Sequence, residues 1–507
     1  MKRVIVFGLI FYSAILSYFF VFKTEINSDH ISNLLLFPYY FRDKVYLPSD
    51  NFMIKYPFYS LVVSLIGINL WSIFAISFFC LLLTHGLYWW FYKKVILLNN
   101  VDSKWWAYVP MTTVIFGGWN LMLHLVHPHL RNIEIGLLFY ILSLFIFGGK
   151  LKPKLVYLLI AVLILVFFSD PYYLAVFAAP VIISALIIYY QKHDSRYLLI
   201  SLIVYVAALG GKILEKGLVK TGLFAFDSVR PQISLEAFIN NFSHFIPNLH
   251  TLVRPGFSAV LNFSTSNIIS SLSLAGVIIS LLMLGYYFWQ GFCKSDFLKL
   301  YLGSSAFILI GVTLFSQLGS FGLYRYYIYL FFLIPTMWLM VISDLWKQKK
   351  LIIMNFLLAI FLISALFNTV SFYSVLWQRR TVSGNEDNWQ LLKQLKDQNL
   401  KYGYATFWNA SINTYLSSDV IKVRPVHCIN YQIMPYYRLS TINWYEFAIH
   451  HGETFLLLNH KDLRYGCSFK TIKSQFGKPS RSKTIIFKNQ MKFTLLIYDY
   501  NIGQVFN

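Results

Sequence analysis

The sequence predicts an α-helical polytopic membrane protein with a small α+β domain at its C-terminal end. Three observations carry that expectation. Of 507 residues, 57% are hydrophobic and only 13% charged, where a soluble domain has roughly 45–50% and about 25%. The apolar residues gather into runs long enough to cross a bilayer, which takes about 20 residues. The polar residues collect between those runs and in the C-terminal tail. A soluble enzyme, a disordered chain and a nucleic-acid-binding module are excluded on these grounds. The 43 Lys and Arg against 21 Asp and Glu, a net +22, have a simpler source than a nucleic-acid partner. Cytoplasmic loops collect basic residues, and anionic lipid attracts them.

The elements follow in order. Met1-Lys2-Arg3 precedes an apolar run from Val4 to Phe22. That run is too long for a typical signal-peptide core and ends in Lys23-Thr24-Glu25 without a small-residue cleavage site, so a retained first helix is expected. Further runs lie near 71–92, 106–125, 133–148, 154–169, 172–190, 197–212, 267–290, 299–318, 322–344 and 351–375. The total is about eleven spans. Asp170-Pro171 divides the fifth from the sixth, because proline removes a donor and disfavours helix before it. With the N-terminus cytoplasmic, the inner connections hold Lys93, Lys94 and Lys104, then Lys150, Lys152 and Lys154, then Lys192 and Arg196, Lys294 and Lys299, and Lys347, Lys349 and Lys350. The short outer connections hold Arg131 or no basic residue at all. That asymmetry obeys the positive-inside rule.

Residues 1–377 are therefore expected to form the transmembrane domain, with long outer loops over 23–70 and 213–266, and residues 378–507 an extracytoplasmic domain. The composition switches at Gln378-Arg379-Arg380, a polar, turn-rich stretch. Trp389 to Leu400 has helical spacing, and short β-branched runs begin near Tyr404, Val420, Thr454, Thr484 and Thr494. Ile31 to Phe41 and Tyr56 to Ile68 read as helices in the outer interface. Cys428 and Cys467 are the tail's only cysteines; an oxidising outer compartment would permit a bridge between them, although a lone pair does not demand one.

Ionisable residues near a membrane are costly and point to function, and most candidates here fall on the outer side. Asp29 and His30 follow the first helix. His124, His127, His129, Arg131 and Glu134 cluster where the third span exits and the fourth enters, Asp170 sits at the fifth–sixth turn, and Arg325 lies near the outer end of the tenth. Each has a plainer alternative. Asp29 can cap a helix beginning at Ile31. His127-Pro128-His129 lacks the third ligand of a catalytic zinc. Arg131 and Glu134, spaced i,i+3, can form an ion pair on one helical face. Asp170 can be turn chemistry, and Arg325 can snorkel. Glycine-rich nucleotide-binding loops are missing.

Ser28-Asp29-His30 in the first outer loop, Leu323-Tyr324-Arg325-Tyr326-Tyr327 followed by Leu333-Ile334-Pro335, and the tail stretch from Tyr402 to Ser411 with Val420 to Pro425 together resemble the GT-C superfamily of membrane glycosyltransferases, in its bacterial form with an outer C-terminal domain. The resemblance implies a GT-C-like fold and an inverting hexosyl or pentosyl transfer. The donor would be a polyprenyl-phosphate-linked sugar and the acceptor a hydroxyl on a glycan, lipid or protein. It implies Asp29 as general base with Asp170 or Glu134 as the alternative, Arg325 and Arg131 as donor-phosphate ligands, and His30, His127 and His129 as supporting residues. The resemblance fixes no cofactor and leaves room for a divalent metal; no metal ligands are assigned. A multi-pass protein of the bacterial cytoplasmic (inner) membrane is expected. The other readings are an O-antigen or surface-polysaccharide polymerase and a lipid or oligosaccharide flippase or transporter.

Overall fold

The computed structural model describes residues 2–24, 26–48, 50–51, 53–101, 104–112, 119–126, 131–149, 151–227, 233–253, 263–320, 323–378, 384–459, 467–487 and 492–506. The chain divides into two compact units. One comprises Met1–Ser13, Phe79–Leu214 and Arg230–Arg380, the other Ala14–Phe78, Glu215–Val229 and Thr381–Asn507. The break at Arg380 lies close to the composition switch at Gln378. The sequence division into 1–377 and 378–507 nevertheless misses that the first outer loop and part of the second belong with the tail.

Six helices among the described residues are long and apolar enough to cross a membrane: Leu70–Leu98, Leu174–Lys192, Ser195–Lys220, Leu274–Lys294, Phe297–Phe315 and Tyr324–Lys347. Five shorter apolar helices accompany them, at Phe7–Lys23, Met53–Ile66, Ile133–Phe147, Pro153–Ser169 and Leu351–Ile363. The third expected span differs most from the sequence reading. A 3₁₀ turn covers Trp105–Tyr108 and an α-helix covers Trp119–Val126, with 113–118 outside the described residues.

The first unit is helical, and its interior is aromatic. Tyr88 Oη–H donates to the Phe332 carbonyl at 2.8 Å and packs edge-on against Phe139 and Phe332. Tyr301 and Tyr329 share a 2.6 Å hydroxyl bond. The helices Phe263–Lys294 and Phe297–Phe315 approach closely because Gly291 and Gly303 leave room. A Cβ on Gly291 would stand 2.5 Å from the Leu300 nitrogen, and one on Gly303 would stand 2.8 Å from the Phe288 Cα. A π-helical turn, Leu174–Ala178, opens the next span. Pro180 lacks the N–H that would have bonded the Val176 carbonyl four residues back, and the Ser305 hydroxyl supplies that bond instead at 2.7 Å.

The second unit is built on two sheets. The strands are β1 Val45–Pro48, β2 Phe224–Asp227, β3 Tyr402–Thr406, β4 Lys422–Ile429, β5 Gln432–Pro435, β6 Ser440–Thr441, β7 Thr454–Asn459, β8 Arg481–Ile486 and β9 Lys492–Tyr498. The larger sheet has the order β5-β4-β3-β7-β9-β8. Within it β3 runs parallel to β4 and β7, and the outer pairs are antiparallel. Buried on both faces, between β3 in parallel and β9 in antiparallel register, β7 reads as an unbroken apolar run, Phe455 to Leu458. Gly403 on β3 lets the Phe455 ring lie against the strand, where a Cβ would come within 2.5 Å. The helix Glu386–Asp397 opens on Glu386 and Asp387 and closes on Lys396, charges that complement its dipole.

The smaller sheet, β2-β1-β6, draws one strand from each of three distant segments. Val45 pairs with Phe224 in parallel and with Thr441 in antiparallel register. The segment after the first helix is tied to the start of the tail as well, since the Asn385 side chain accepts the Ile26 N–H at 3.3 Å and Gly384 packs against the Thr24 carbonyl. Cys428 and Cys467 form a disulfide with Cα atoms 5.9 Å apart, closing a stretch of 39 residues. Beside it on β4, His427 packs edge-on to Tyr436 at 5.1 Å, and burial pulls its imidazole below the ordinary value of 6.5.

Candidate functional site

In the first unit the expected outer charges converge on a tyrosine clamp. Asp170 ends the helix Pro153–Ser169 in extended conformation, and its Oδ1 accepts the Tyr172 N–H at 3.0 Å. Pro171 makes this stop obligatory, and the bond is the Asx-type turn that Asp favours. The same oxygen accepts from Arg131 Nη2 at 3.3 Å, and Oδ2 lies 2.6 Å from Arg131 Nε. Arg131 is 4% exposed and Asp170 1%, so this is a buried ion pair.

The guanidinium is held by more than its counter-ion. Its carbon lies 4.5 Å from the Tyr172 ring centre and 4.7 Å from that of Tyr326. The Tyr172 hydroxyl donates to the Tyr326 carbonyl at 2.6 Å. Two tyrosines from separate segments thus clamp one arginine, an arrangement suited to the flat, weakly hydrated guanidinium. Tyr326 belongs to the 3₁₀ turn Tyr324–Tyr327, and its ring also carries Arg325, whose guanidinium carbon is 5.3 Å from the ring centre. Arg325 is half-buried, and among the described residues it has no carboxylate partner and its buried Nε no hydrogen-bond partner. Next to it, Tyr324 meets His124 edge-on at 5.2 Å.

Glu134 is fully buried at the start of the helix Ile133–Phe147. Its Oε2 accepts the Asn132 N–H at 3.3 Å, while Asn132 bonds the Ile133 N–H and the Leu125 carbonyl. The expected i,i+3 pair between Arg131 and Glu134 on one helical face is corrected here. The helix starts at Ile133, so Arg131 stands ahead of it and pairs with Asp170 instead.

Asp29 belongs to the second unit. It lies inside the first turn of the helix Ser28–Leu36 and is half-buried, so the helix starts three residues earlier than a cap before Ile31 would require. Ser28 fixes that turn: its Oγ accepts the Ile412 N–H at 3.4 Å from the helix Phe407–Leu416, which packs along Ser28–Leu36. His30 lies in the same turn, with its side chain outside the described residues, as are His127 and His129. Among the described residues, no group of three His, Cys, Asp or Glu side chains could hold a metal ion.

Of the sequence candidates, the structure therefore gathers Arg131, Asp170 and Arg325 around Tyr326, with Glu134 on the adjoining helix start. The residue the sequence reading missed is Tyr172. Its only signal was its place directly after Asp170-Pro171. Chemically, the pair Arg131–Asp170 is neutral as a whole, and Arg325 remains as a cation able to meet an anion. Comparison with protein-family models, curated proteins and solved structures finds no match for this chain.

Proposed function

We propose that the chain is a membrane glycosyltransferase that moves a sugar from a polyprenyl-phosphate donor to an acceptor hydroxyl on the outer face of the membrane, inverting the anomeric centre. The observation that carries the reading is Arg325: a half-buried guanidinium with no carboxylate partner among the described residues, steadied over Tyr326 beside a neutral ion pair. A carboxylate takes the acceptor hydroxyl's proton as its oxygen attacks the anomeric carbon. The carbon–oxygen bond to phosphate breaks, the phosphate leaves with the electron pair, and Arg325 holds it through charge-assisted bonds. The resemblance implies Asp29 as that base with Asp170 or Glu134 as the alternative; Asp170 is ion-paired with Arg131, and Glu134 accepts the Asn132 N–H. Arg131, clamped and ion-paired, acts on this reading by fixing Tyr326 rather than by meeting the phosphate itself.

The small sheet supports the expected topology. Hydrogen-bonded strands lie on one side of a bilayer, so an even number of crossings separates β1 from β2 and β2 from β6. The six long helices supply three crossings in each interval, an odd number. On this reading at least one shorter apolar stretch in each interval crosses too, and Leu351–Ile363 is available in the second. Eleven spans, with three extra crossings in the first interval, satisfy the rule. The Cys428–Cys467 bridge fits an oxidising outer compartment, and the bacterial inner membrane is the proposed location.

The test is mass spectrometry of surface glycans from cells with and without the chain, alongside their polyprenyl-linked sugars. Loss of one sugar from the glycans, with its lipid-linked donor accumulating, is expected. Unaltered glycans and donor levels refute the reading, and accumulation of complete, unjoined repeat units would assign a polymerase instead.

A further inference from the structure

The helix Leu235–Val253 presents two faces of opposite character. Asn241 and Asn248, a spacing of seven, are buried. The Asn241 amide donates to the carbonyls of Thr313, Leu314 and Ser316 at 3.2, 3.0 and 2.5 Å, and the Ser234 N–H bonds the Phe315 carbonyl at 2.9 Å. The Thr313, Leu314 and Phe315 carbonyls are among those that the end of the helix Phe297–Phe315 leaves without intrahelical partners, and Ser316 is the residue that follows it. The Asn248 amide reaches the Gly319 and Ser320 carbonyls in the same way. Phe238 stacks on Phe315 at 4.7 Å, and Phe245 meets Tyr327 edge-on at 5.7 Å. The Leu235–Val253 helix is therefore pinned across the end of one membrane-length helix and against the turn that carries Arg325.

Its other face is apolar and bare. Leu235, Ile239, Phe242 and Ile246, spaced 4, 3 and 4, form one stripe and are exposed by 69, 66, 63 and 41%. The helix it caps also bears exposed apolar side chains, Phe307 and Phe315, at 53 and 38%. A helix fixed by its polar face at the end of a membrane crossing has its apolar face at the depth where acyl chains meet headgroups. We propose that Leu235–Val253 is an in-plane interfacial helix whose Leu235–Ile239–Phe242–Ile246 stripe is immersed in lipid, setting the Arg325 turn at headgroup depth. Lipid is the occupant because the helix that Leu235–Val253 caps is itself membrane-length and exposes apolar side chains, and interfacial helices bind by burying such a stripe. This goes beyond sugar transfer and stands whether or not the chain transfers sugar.

The test is nitroxide accessibility on the full chain in nanodiscs of phosphatidylethanolamine and phosphatidylglycerol. Single labels are placed at Ile239→Cys, Phe242→Cys and Asn240→Cys in a Cys293→Ser background. Asn240 is exposed but lies off the stripe. The oxygen-to-nickel-chelate accessibility ratio is expected to be several-fold higher at 239 and 242 than at 240. Equal ratios at the three sites overturn the proposal. So does protection of 239 and 242 from both reagents, since that means protein covers the stripe. Phe242→Asp is a second arm: it is expected to raise nickel accessibility at a label on 239, and no change counts against immersion.

Discussion

Replacing Asp170 by Asn separates a structural from a catalytic role for the Arg131 pair. Asn keeps the shape and the acceptor for the Tyr172 N–H but removes the charge that compensates Arg131. Removing one member of a buried pair costs about 3–5 kcal/mol, because the other is left buried and uncompensated. The two tyrosine rings at 4.5 and 4.7 Å retain an attraction of about 1–2 kcal/mol for the cation, which favours the lower end of that range. At about 1.4 kcal/mol per decade, the folded-to-unfolded ratio should fall by roughly two to three decades. Reversible unfolding in mixed detergent, followed by near-ultraviolet circular dichroism, measures this directly. The double replacement Arg131→Met with Asp170→Leu should recover most of the loss, since a pair exchanged for apolar side chains is often neutral. An Asp170→Asn protein as stable as the parent yet inactive in transfer would falsify the structural assignment and return Asp170 to the chemistry.

Four further outcomes are expected. Asp29→Asn should lower sugar transfer by roughly 10²–10⁴-fold, the usual worth of a general base, with insertion and donor binding unchanged; full activity in a proteoliposome transfer assay would leave Asp29 a helix-start residue only. Arg325→Lys keeps the charge but loses the planar fork, so donor binding measured by titration should weaken while stability holds, and equal affinity would remove Arg325 from the phosphate site. Paired replacement of Cys428 and Cys467 by Ser opens a loop of 39 residues and should cost the second unit about 2–4 kcal/mol, read by limited proteolysis of the tail against the same chain with the bridge intact. His427 is held below its ordinary 6.5 by burial, so its stabilising contribution is present above pH 6.5 and fades as pH falls through the lowered value; His427→Gln should flatten the acid side of the unfolding profile, and an unchanged profile refutes the assignment.

The parts of this chain that were legible in its sequence are those whose physics is local. Apolar runs mark most of the long helices because a bilayer demands a fixed length of them. The tail helix declared itself through the spacing of Leu391, Leu392 and Leu395, all of which are buried. Strands β3, β4, β7, β8 and β9 showed as short β-branched or apolar runs. The illegible parts depend on partners far away in the chain. The helix Phe407–Leu416 carries Asn409, Ser411, Asn413 and Thr414 with no clean apolar period, and it is held by packing on Ser28–Leu36 and by Tyr415 bonding Ser72 and Asn69. β1 is four residues long and exists through β2 and β6. At the candidate site the charges were visible but their pairing was not. Helical spacing suggested Glu134 for Arg131, whereas the Asp170-Pro171 turn provided the counter-ion.

The β2-β1-β6 sheet also sets an order of events during synthesis. β1 leaves the ribosome with position 48, but its parallel partner follows only at 224 and its antiparallel partner at 441. At roughly 5–20 residues per second, each wait lasts about ten seconds or more. Throughout it β1 presents unpaired edges, which are templates for wrong pairing. A chain cut short before Ser440 thus lacks the third strand of this sheet and keeps one edge of β1 unpaired.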